Sequence, residues 1–481
     1  MRRAPLFFAL LFAALLAARL CHTRILWAEE NLPLAAAAQM LRGKVLYRDL
    51  WFDKPPLLPG FYLLWGARIG GLLRAAGALY ALAACGVAWR FAGSLWGERE
   101  AFWAAGLLAF FLTFDFPSGV MPLAADLLML LPHLAAVYFA SRRQAFLSGV
   151  CAGIAFLVNP KGVFVAAVCA LWTLPALVPL ALGFVLPNAA AAGWLWSQGA
   201  LLPYYEQVWK WGRLYAGGTF LAHPVRDGAL RTAHWLGFHA AAVLPAAWFF
   251  WKDRAAGRWK WAAWAAFSFA GVMLGWRFFP RYFFQLLPVV VLAAARGLAL
   301  LPRKPVFALT ALLLIPFVRF GPRYGLLAWQ TLSGQPFTWV DVAMDQDSRA
   351  AAKLALGASR PGDTLFVWGF RPELYVYTGL PAATRFLDSQ PLTGVPADRH
   401  LTQSKPVERE QARAHRRELA QSKPALVLDG LGPYNPNLAL ATYPDLQPWL
   451  QSYREIARTS QTIVYRRVSA PGMPPETGQQ P

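Results

Sequence analysis

Residues Trp27–Pro56 read WAEENLPLAAAAQMLRGKVLYRDLWFDKPP. The stretch follows one strongly apolar run and precedes the next. It holds two adjacent carboxylates, Glu29 and Glu30, then an alanine-rich helical segment, the cluster Tyr47-Arg48-Asp49, and Asp53-Lys54-Pro55-Pro56. A loop that merely joins two membrane helices needs no such density of acid, base and aromatic. The stretch reads as half of an active site, held at a bilayer surface by the helices around it.

The rest of the chain supports that setting. It has 481 residues, 57% of them hydrophobic and 15% charged, where a soluble domain carries nearer a quarter charged. Several apolar runs reach the ~17–25 residues needed to cross a bilayer. The fold class is therefore an α-helical polytopic membrane protein. Its spans are read at about 5–25, 72–93, 101–116, 121–140, 145–159, 163–178, 180–196, 232–251, 260–277, 282–301 and 305–320, eleven in all. Between 163 and 196, Pro175, Pro179 and Pro187 kink or split one long segment. The segment 57–71 is apolar but short, and is expected at the interface. The N-terminus resembles a signal peptide. Arg19 and Arg24 interrupt its end and no small-x-small site precedes Glu29, so a retained first helix is expected.

The net charge of +21 raises the question of nucleic acid. Residues 1–320 carry 29 Lys+Arg against 11 Asp+Glu, and residues 321–481 carry 17 against 14. The excess sits in the loops of the membrane part, where it meets lipid phosphates, and no nucleic-acid footprint remains. With the N-terminus inside, the inner loops hold Arg2 and Arg3; Arg90 and Arg99; Arg142 and Arg143; Lys252, Arg254, Arg258 and Lys260; and Arg303 and Lys304. That is the positive-inside pattern of a multi-pass inner (plasma) membrane protein. The long outer loops, about 26–71 and 197–231, are also basic, which an anionic lipid ligand would explain. Cys21, Cys85, Cys151 and Cys169 all fall in or beside apolar runs and read as small buried thiols.

Past residue 320 the composition changes. A helix is expected over 350–358, a strand over 364–368, a charged helix over 408–422, a strand over 424–428 and a short strand over 462–465. Alternating strand and helix make a small α/β domain. The domains are then 1–320 in the membrane, 321–468 as a C-terminal extracytoplasmic α/β domain, and 469–481 as a disordered Pro, Gly and Gln-rich tail.

This topology puts four features on one side: the first loop, the 114–122 loop with Asp126 beyond it, the Asn159-Pro160-Lys161-Gly162 turn, and Arg277 with Arg281. Charged groups at a membrane edge are costly unless solvated or paired. Glu29 and Glu30 fit either a general base or a solvated helix start. Asp126, inside an apolar run, fits a functional acid or an interhelical hydrogen bond. Asp115 is expected to be solvated. Lys54, stiffened by two prolines, fits a phosphate-binding point charge or a snorkelling lysine. Arg277-Phe-Phe-Pro-Arg281-Tyr282 offers two cations and a phenol at a helix mouth, and Lys161 is a weaker candidate of the same kind. His133 reads as a packed helix residue. His234 and His239 diverge on a helix, so no histidine pair has metal-ligand spacing. A P-loop, a dinucleotide fold motif, HExxH and a serine nucleophile motif are all missing. No cofactor is named by these residues; a divalent metal ion would find ligands only if Glu29, Glu30 and Asp126 converge. The aromatic run around Tyr204, Tyr205, Trp209 and Trp211 is a candidate acceptor platform.

These residues resemble a known family. The whole chain is similar to the bacterial membrane glycosyltransferases of the C superfamily, in the protein O-mannosyltransferase-like branch that includes the aminoarabinose transferase of lipid A. The resemblance lies in the acidic pair Glu29-Glu30, in LRGKVLYRDLWFDKPP (41–56), GIAFLVNPKG (153–162) and RFFPRYFFQLLP (277–288), and in PGDTLFVWGFRPELYVYTG (361–379). The family's pair is usually Asp-Glu, and the match of Asp126 is one of position. The resemblance implies transfer of a sugar from a polyprenyl-phosphate donor to a lipid, glycan or protein acceptor on the outer face. Glu29 is then the base and Asp126 orients it or stabilises charge. Lys54, Arg277 and Arg281, with Tyr282, Tyr47 and Arg48 beside them, hold the lipid phosphate and the sugar. The alternative is a transporter or flippase of a lipid-linked sugar, which needs polar groups along a path through the bilayer.

Overall fold

The computed structural model describes residues 3–219, 221–253, 257–339, 342–395 and 404–468. Arg2, the Arg3 side chain, Arg254 and the expected tail 469–481 lie outside them. The chain forms two compact units. The first comprises 1–33, 46–48 and 52–337; the second comprises 34–45, 49–51 and 338–481. This division differs from the boundary at 320 read from composition, because the helix Leu314–Leu332 runs unbroken past that point.

The first unit is helical. The expected apolar stretches fall on Arg3–Leu20, Gly71–Leu95, Glu98–Phe111, Ala125–Ser141, Ala145–Val158, Gly162–Thr173, Leu177–Ser197, Ala240–Lys252, Arg258–Met273, Leu287–Leu300, and the pair Arg303–Ala311 and Leu314–Leu332. By length and composition, two of these helices, Gly71–Leu95 and Leu177–Ser197, are long and apolar enough to cross a bilayer. The last pair, bent by about 40°, makes a third if it is one span. The prolines of 163–196 do split the segment. One helix ends at Thr173 and the next begins at Leu177, with Pro179 in its first turn and Pro187 inside it. The two long loops also contain helices, Ala28–Met40, Leu57–Leu63, Trp211–Ala216 and Pro224–Phe238 among them.

Small residues let these helices touch. A Cβ on Gly149 would lie 2.1 Å from the Leu180 carbonyl oxygen, and one on Gly183 2.1 Å from that of Phe146. The helices Ala145–Val158 and Leu177–Ser197 therefore meet backbone to backbone, as small-residue interfaces in membranes do. A buried polar contact also joins two helices: Trp264 donates its indole N–H to His133 Nε2 at 2.8 Å. His133 is thus a packed helix residue, as its position suggested.

The second unit is built on a four-stranded sheet, β1 (Leu365–Trp368), β2 (Leu426–Asp429), β3 (Tyr453–Arg458) and β4 (Ile463–Arg467), in the order β1-β2-β4-β3. β1 and β2 are parallel, with Leu365 opposite Leu426, and β4 runs antiparallel to both β2 and β3. Both parallel strands are buried along their whole length, which is why they read as continuous apolar runs. The expected helices appear as Ala343–Gly357 and Glu410–Gln421. β3 was not expected. Its sequence YREIAR exposes Arg454, Glu455 and Arg458, so it carries little apolar signal and is fixed by pairing with β4. Residues 34–45 and 49–51 belong to this unit too. Gln39 accepts from Ala382 N and donates to Leu380 O, and Trp51 N donates to Arg385 O.

Candidate active site

The site residues all lie in the first unit. The helix Ala28–Met40 starts at the acidic pair, and the two carboxylates part company there. Glu30 is fully buried. Its Oε1 accepts the Trp27 backbone N–H at 3.1 Å, the reach-back of a carboxylate three residues past an N-cap. It is also ion-paired with Arg74. Arg74 is equally buried and donates further to the carbonyls of His22, Ile25 and Met121. Glu30 therefore pins the helix start to Gly71–Leu95.

Glu29 points elsewhere. Its Oε1 lies 2.5 Å from Arg281 Nη1, and Arg281 Nε lies 3.5 Å from Asp126 Oδ2. Asn159 donates to Asp126 Oδ1 at 3.2 Å. Local geometry explains the meeting. Asp126 sits in the first turn of Ala125–Ser141, and Asn159 directly follows the antiparallel helix Ala145–Val158. A short turn at the far end brings their near ends together. Asp126 is nearly buried, whereas the Glu29 side chain is 30% exposed. One carboxylate is held; the other is open.

Lys161 completes the cluster. Its backbone N–H donates to the Asn159 side chain, and its Nζ lies 3.1 Å from the centre of the Tyr282 ring. The ammonium is buried and has no hydrogen-bond acceptor among the described residues. Burial pushes its pKa down to about 8. Asp126 opposes the shift, and Arg281 and Arg277 add to it. This residue was underrated in the sequence. A lysine after Asn-Pro and directly before an apolar helix was the available signal.

The 46–54 loop presents Lys54. Its Nζ lies 2.7 Å from Asp53 Oδ2 and 6.0 Å from the Tyr215 ring centre. Asp53 Oδ1 is buried with no donor among the described residues. Tyr47 is completely buried, has a φ of 68°, and donates its hydroxyl to the Lys54 carbonyl. A left-handed tyrosine is sparsely populated and marks a held conformation. Gln207 grips the same loop from the single π-helical turn Tyr205–Lys210, accepting from Phe52 N and donating to Tyr47 O. Tyr47 and Gln207 thus hold the backbone that carries Lys54. Sequence reasoning missed Gln207 altogether, since nothing local marks it. Arg48 is exposed and donates to the Gln198 carbonyl.

Arg277 donates to the carbonyls of Tyr215 and Gly218 at 2.6 and 2.9 Å and lies 3.5 Å over the Tyr215 ring. Through Nη2 it fastens the end of Trp211–Ala216. Trp276 and Phe278 beside it both have positive φ, near 50°, a second held segment at the same cluster. Of the aromatic run, Tyr204 packs on Tyr47 and Trp209 stacks on Phe156; Trp211 is buried. Asp115 corrects an expectation. It is buried and takes His239 Nε2 at 3.0 Å, with His239 Nδ1 on the Trp235 carbonyl. The three carboxylates named for a metal do not converge, since Glu30 stays with Arg74. No group of three or more potential metal ligands occurs among the described residues.

The arrangement is an open carboxylate, a held carboxylate and a cation between them, with two further lysines and an unmatched buried acceptor. Comparison with solved structures places the fold. ArnT from Cupriavidus metallidurans bound to undecaprenyl phosphate matches with a TM-score of 0.59 at 15% identity, over 98% of this chain and 99% of that one. Its apo state gives 0.57 over 97% and 98%, again at 15% identity. The arabinofuranosyltransferase AftD from Mycobacteria matches with a TM-score of 0.50 at 14% identity, over 98% of this chain and 40% of that one. The chain shares the fold of ArnT. No model of a known protein family matches it, and no curated protein matches it in sequence.

Proposed function

We propose that this chain is an integral-membrane glycosyltransferase. It moves a monosaccharide from a polyprenyl-phosphate carrier to a lipid, glycan or protein acceptor on the extracytoplasmic face. The observation that carries this reading is the Glu29–Arg281–Asp126 cluster with Lys54 and Lys161 beside it. The overall likeness to ArnT, a protein solved with undecaprenyl phosphate, supports it.

Glu29 takes the proton of an acceptor hydroxyl. The acceptor oxygen attacks the anomeric carbon, the bond from that carbon to the phosphate oxygen breaks, and the phosphate leaves with the electron pair. Displacement in one step inverts the anomeric configuration. Arg281 and Lys54 stabilise the leaving phosphate, because preorganised cations act where charge develops. Asp126, held by Asn159, fixes the Arg281 guanidinium. All eleven apolar stretches are taken as spans, with the C-terminal unit on the outer side of the plasma membrane; their coincidence with helices supports this.

The test is donor consumption by purified protein in lipid, using a panel of radiolabelled polyprenyl-phosphate monosaccharides with crude envelope as acceptor. The reading expects one donor to be consumed and the product anomer inverted. Donor intact but moved to the opposite vesicle face would mark a transporter instead.

A further inference from the structure

Three helices that bring the acid–cation cluster together, Ala125–Ser141, Gly162–Thr173 and Arg258–Met273, enclose a second concavity at their other ends. At 17 residues, the first separates the two sites by about 25 Å, close to the thickness of a bilayer's hydrocarbon core. The cavity holds about 370 Å³.

Its walls are tryptophans packed on one another: Trp96 and Trp261 with ring centres 5.3 Å apart, Trp172 and Trp261 5.4 Å apart. The wall is locked at its base, where Trp172 Nε1 donates to the Lys260 carbonyl and Lys260 Nζ donates to the Trp172 carbonyl, each at 3.2 Å. An ammonium has three donors, so Lys260 retains two for a ligand. Arg143 and Arg258 line the cavity with it. Among the described residues lining it, the one acid is Asp253, which meets Arg296 at 3.3 Å. The helix starts at Ala176 and Gly257 also line the cavity, and neither carries a side-chain cap. Uncapped helix starts add backbone N–H groups and a favourable dipole for an anion. Leu174, which lines the cavity, and Leu177 and Val178, which follow its lining residue Ala176 in the chain, are exposed apolar side chains. A rigid, cationic, aromatic-walled cavity with an apolar lip suits an amphiphile, not a soluble anion.

We propose that this cavity binds the phosphate headgroup of an anionic phospholipid whose chains lie along Leu174, Leu177 and Val178. The inference rests on the reading of the chain as membrane-spanning, and is independent of sugar transfer. Its site is on the membrane boundary opposite the acid–cation cluster, so the protein is anchored to anionic lipid on the side away from its chemistry.

The experiment is native mass spectrometry of the full chain in zwitterionic nanodiscs, titrated with phosphatidylglycerol. Wild type should retain one phosphatidylglycerol. Near-surface cations contribute about 1 kcal/mol each to anionic-lipid binding, so Arg143→Gln with Arg258→Gln should weaken it about thirtyfold. A matched control, Arg90→Gln with Arg142→Gln, removes two exposed cations that do not line the cavity and should leave the site within about threefold. Equal loss in both variants would mean a diffuse basic face and overturn the proposal, as would no retained lipid. Displacement by glycerol phosphate at concentrations equal to the lipid would mean a soluble phosphate ligand, and would overturn it too. No donor or acceptor is present, so a protein that transfers no sugar can still pass this test.

Discussion

Two arginine networks in this molecule look alike in composition and differ in saturation. In the C-terminal unit, Arg371 is buried and donates to Asp347, Ser348, Thr462 and the Met344 carbonyl, with Glu373 at 3.5 Å. Asp347 in turn accepts from Ser460, Gln461 and Thr462. None of the Arg371 or Asp347 side-chain atoms is left without a partner. In the first unit, Arg281 bridges Glu29 and Asp126, yet a buried ammonium and a buried carboxylate oxygen close by, Lys161 Nζ and Asp53 Oδ1, have no hydrogen-bond partner among the described residues. Buried polar groups are almost always matched. A saturated network is a fastening; an unsaturated one has capacity for a ligand. The Glu30–Arg74 pair belongs with the fastenings.

The sharpest way to break the comparison is at the unsaturated cluster. Asp126→Asn should cut sugar transfer per folded molecule by about 10²–10⁴-fold, the range of a lost acid–base or charge-positioning group, measured as single-turnover donor consumption. The fastenings should respond in stability instead. Arg371→Met strands Asp347 and Glu373, and Arg74→Met strands Glu30. Each should cost about 3–5 kcal/mol, read as a lowered melting temperature. Glu30→Leu combined with Arg74→Met should recover most of that loss, because a buried pair exchanged for apolar groups is often neutral.

The next effect is a pH profile. The pKa of Lys161 is pushed down to about 8, so its ammonium is charged below that pH and neutral above it. Transfer should therefore decline as pH rises through about 8. In Lys161→Arg the decline should move well above pH 9, since arginine stays protonated. An unchanged profile in that variant would remove Lys161 from the site.

The smallest effect lies in the sheet. Asp429 is buried at the end of β2 and accepts N–H groups from Leu431 and Gly432. Burial raises its pKa to about 6, against the pull of those hydrogen bonds. A carboxyl whose folded pKa is raised stabilises the fold below its unfolded value, near 4, and that contribution is lost as pH rises through about 6. The change is on the order of 2 kcal/mol between pH 4 and pH 7. Asp429→Asn should flatten it, seen as a melting-temperature difference from wild type that varies with pH.

The sequence was most informative where the cause is local. Pro55 and Pro56 stiffen the chain beside Lys54 whatever surrounds them, and continuous apolar runs marked both β1 and β2. The apolar runs fall on helices of the first unit, although 232–251 and 305–320 each cover parts of two. Distant partners were not legible. Arg281 and Glu29 are 252 residues apart, and His239 and Asp115 are 124 apart, so the fate of Asp115 could not be read from its own loop. Glu30 is an intermediate case. A carboxylate three residues past a helix start is a capping signal, but its pairing with Arg74 needed the fold.

The adjacent glutamates give the most direct test. Transfer rate per folded molecule and melting temperature should be measured side by side for Glu29→Gln and Glu30→Gln. The account predicts that Glu29→Gln abolishes transfer with about 1 kcal/mol of stability lost or less, while Glu30→Gln lowers the melting temperature and leaves the rate of the folded fraction near wild type. Transfer surviving in Glu29→Gln, or lost only in Glu30→Gln at full stability, would contradict it.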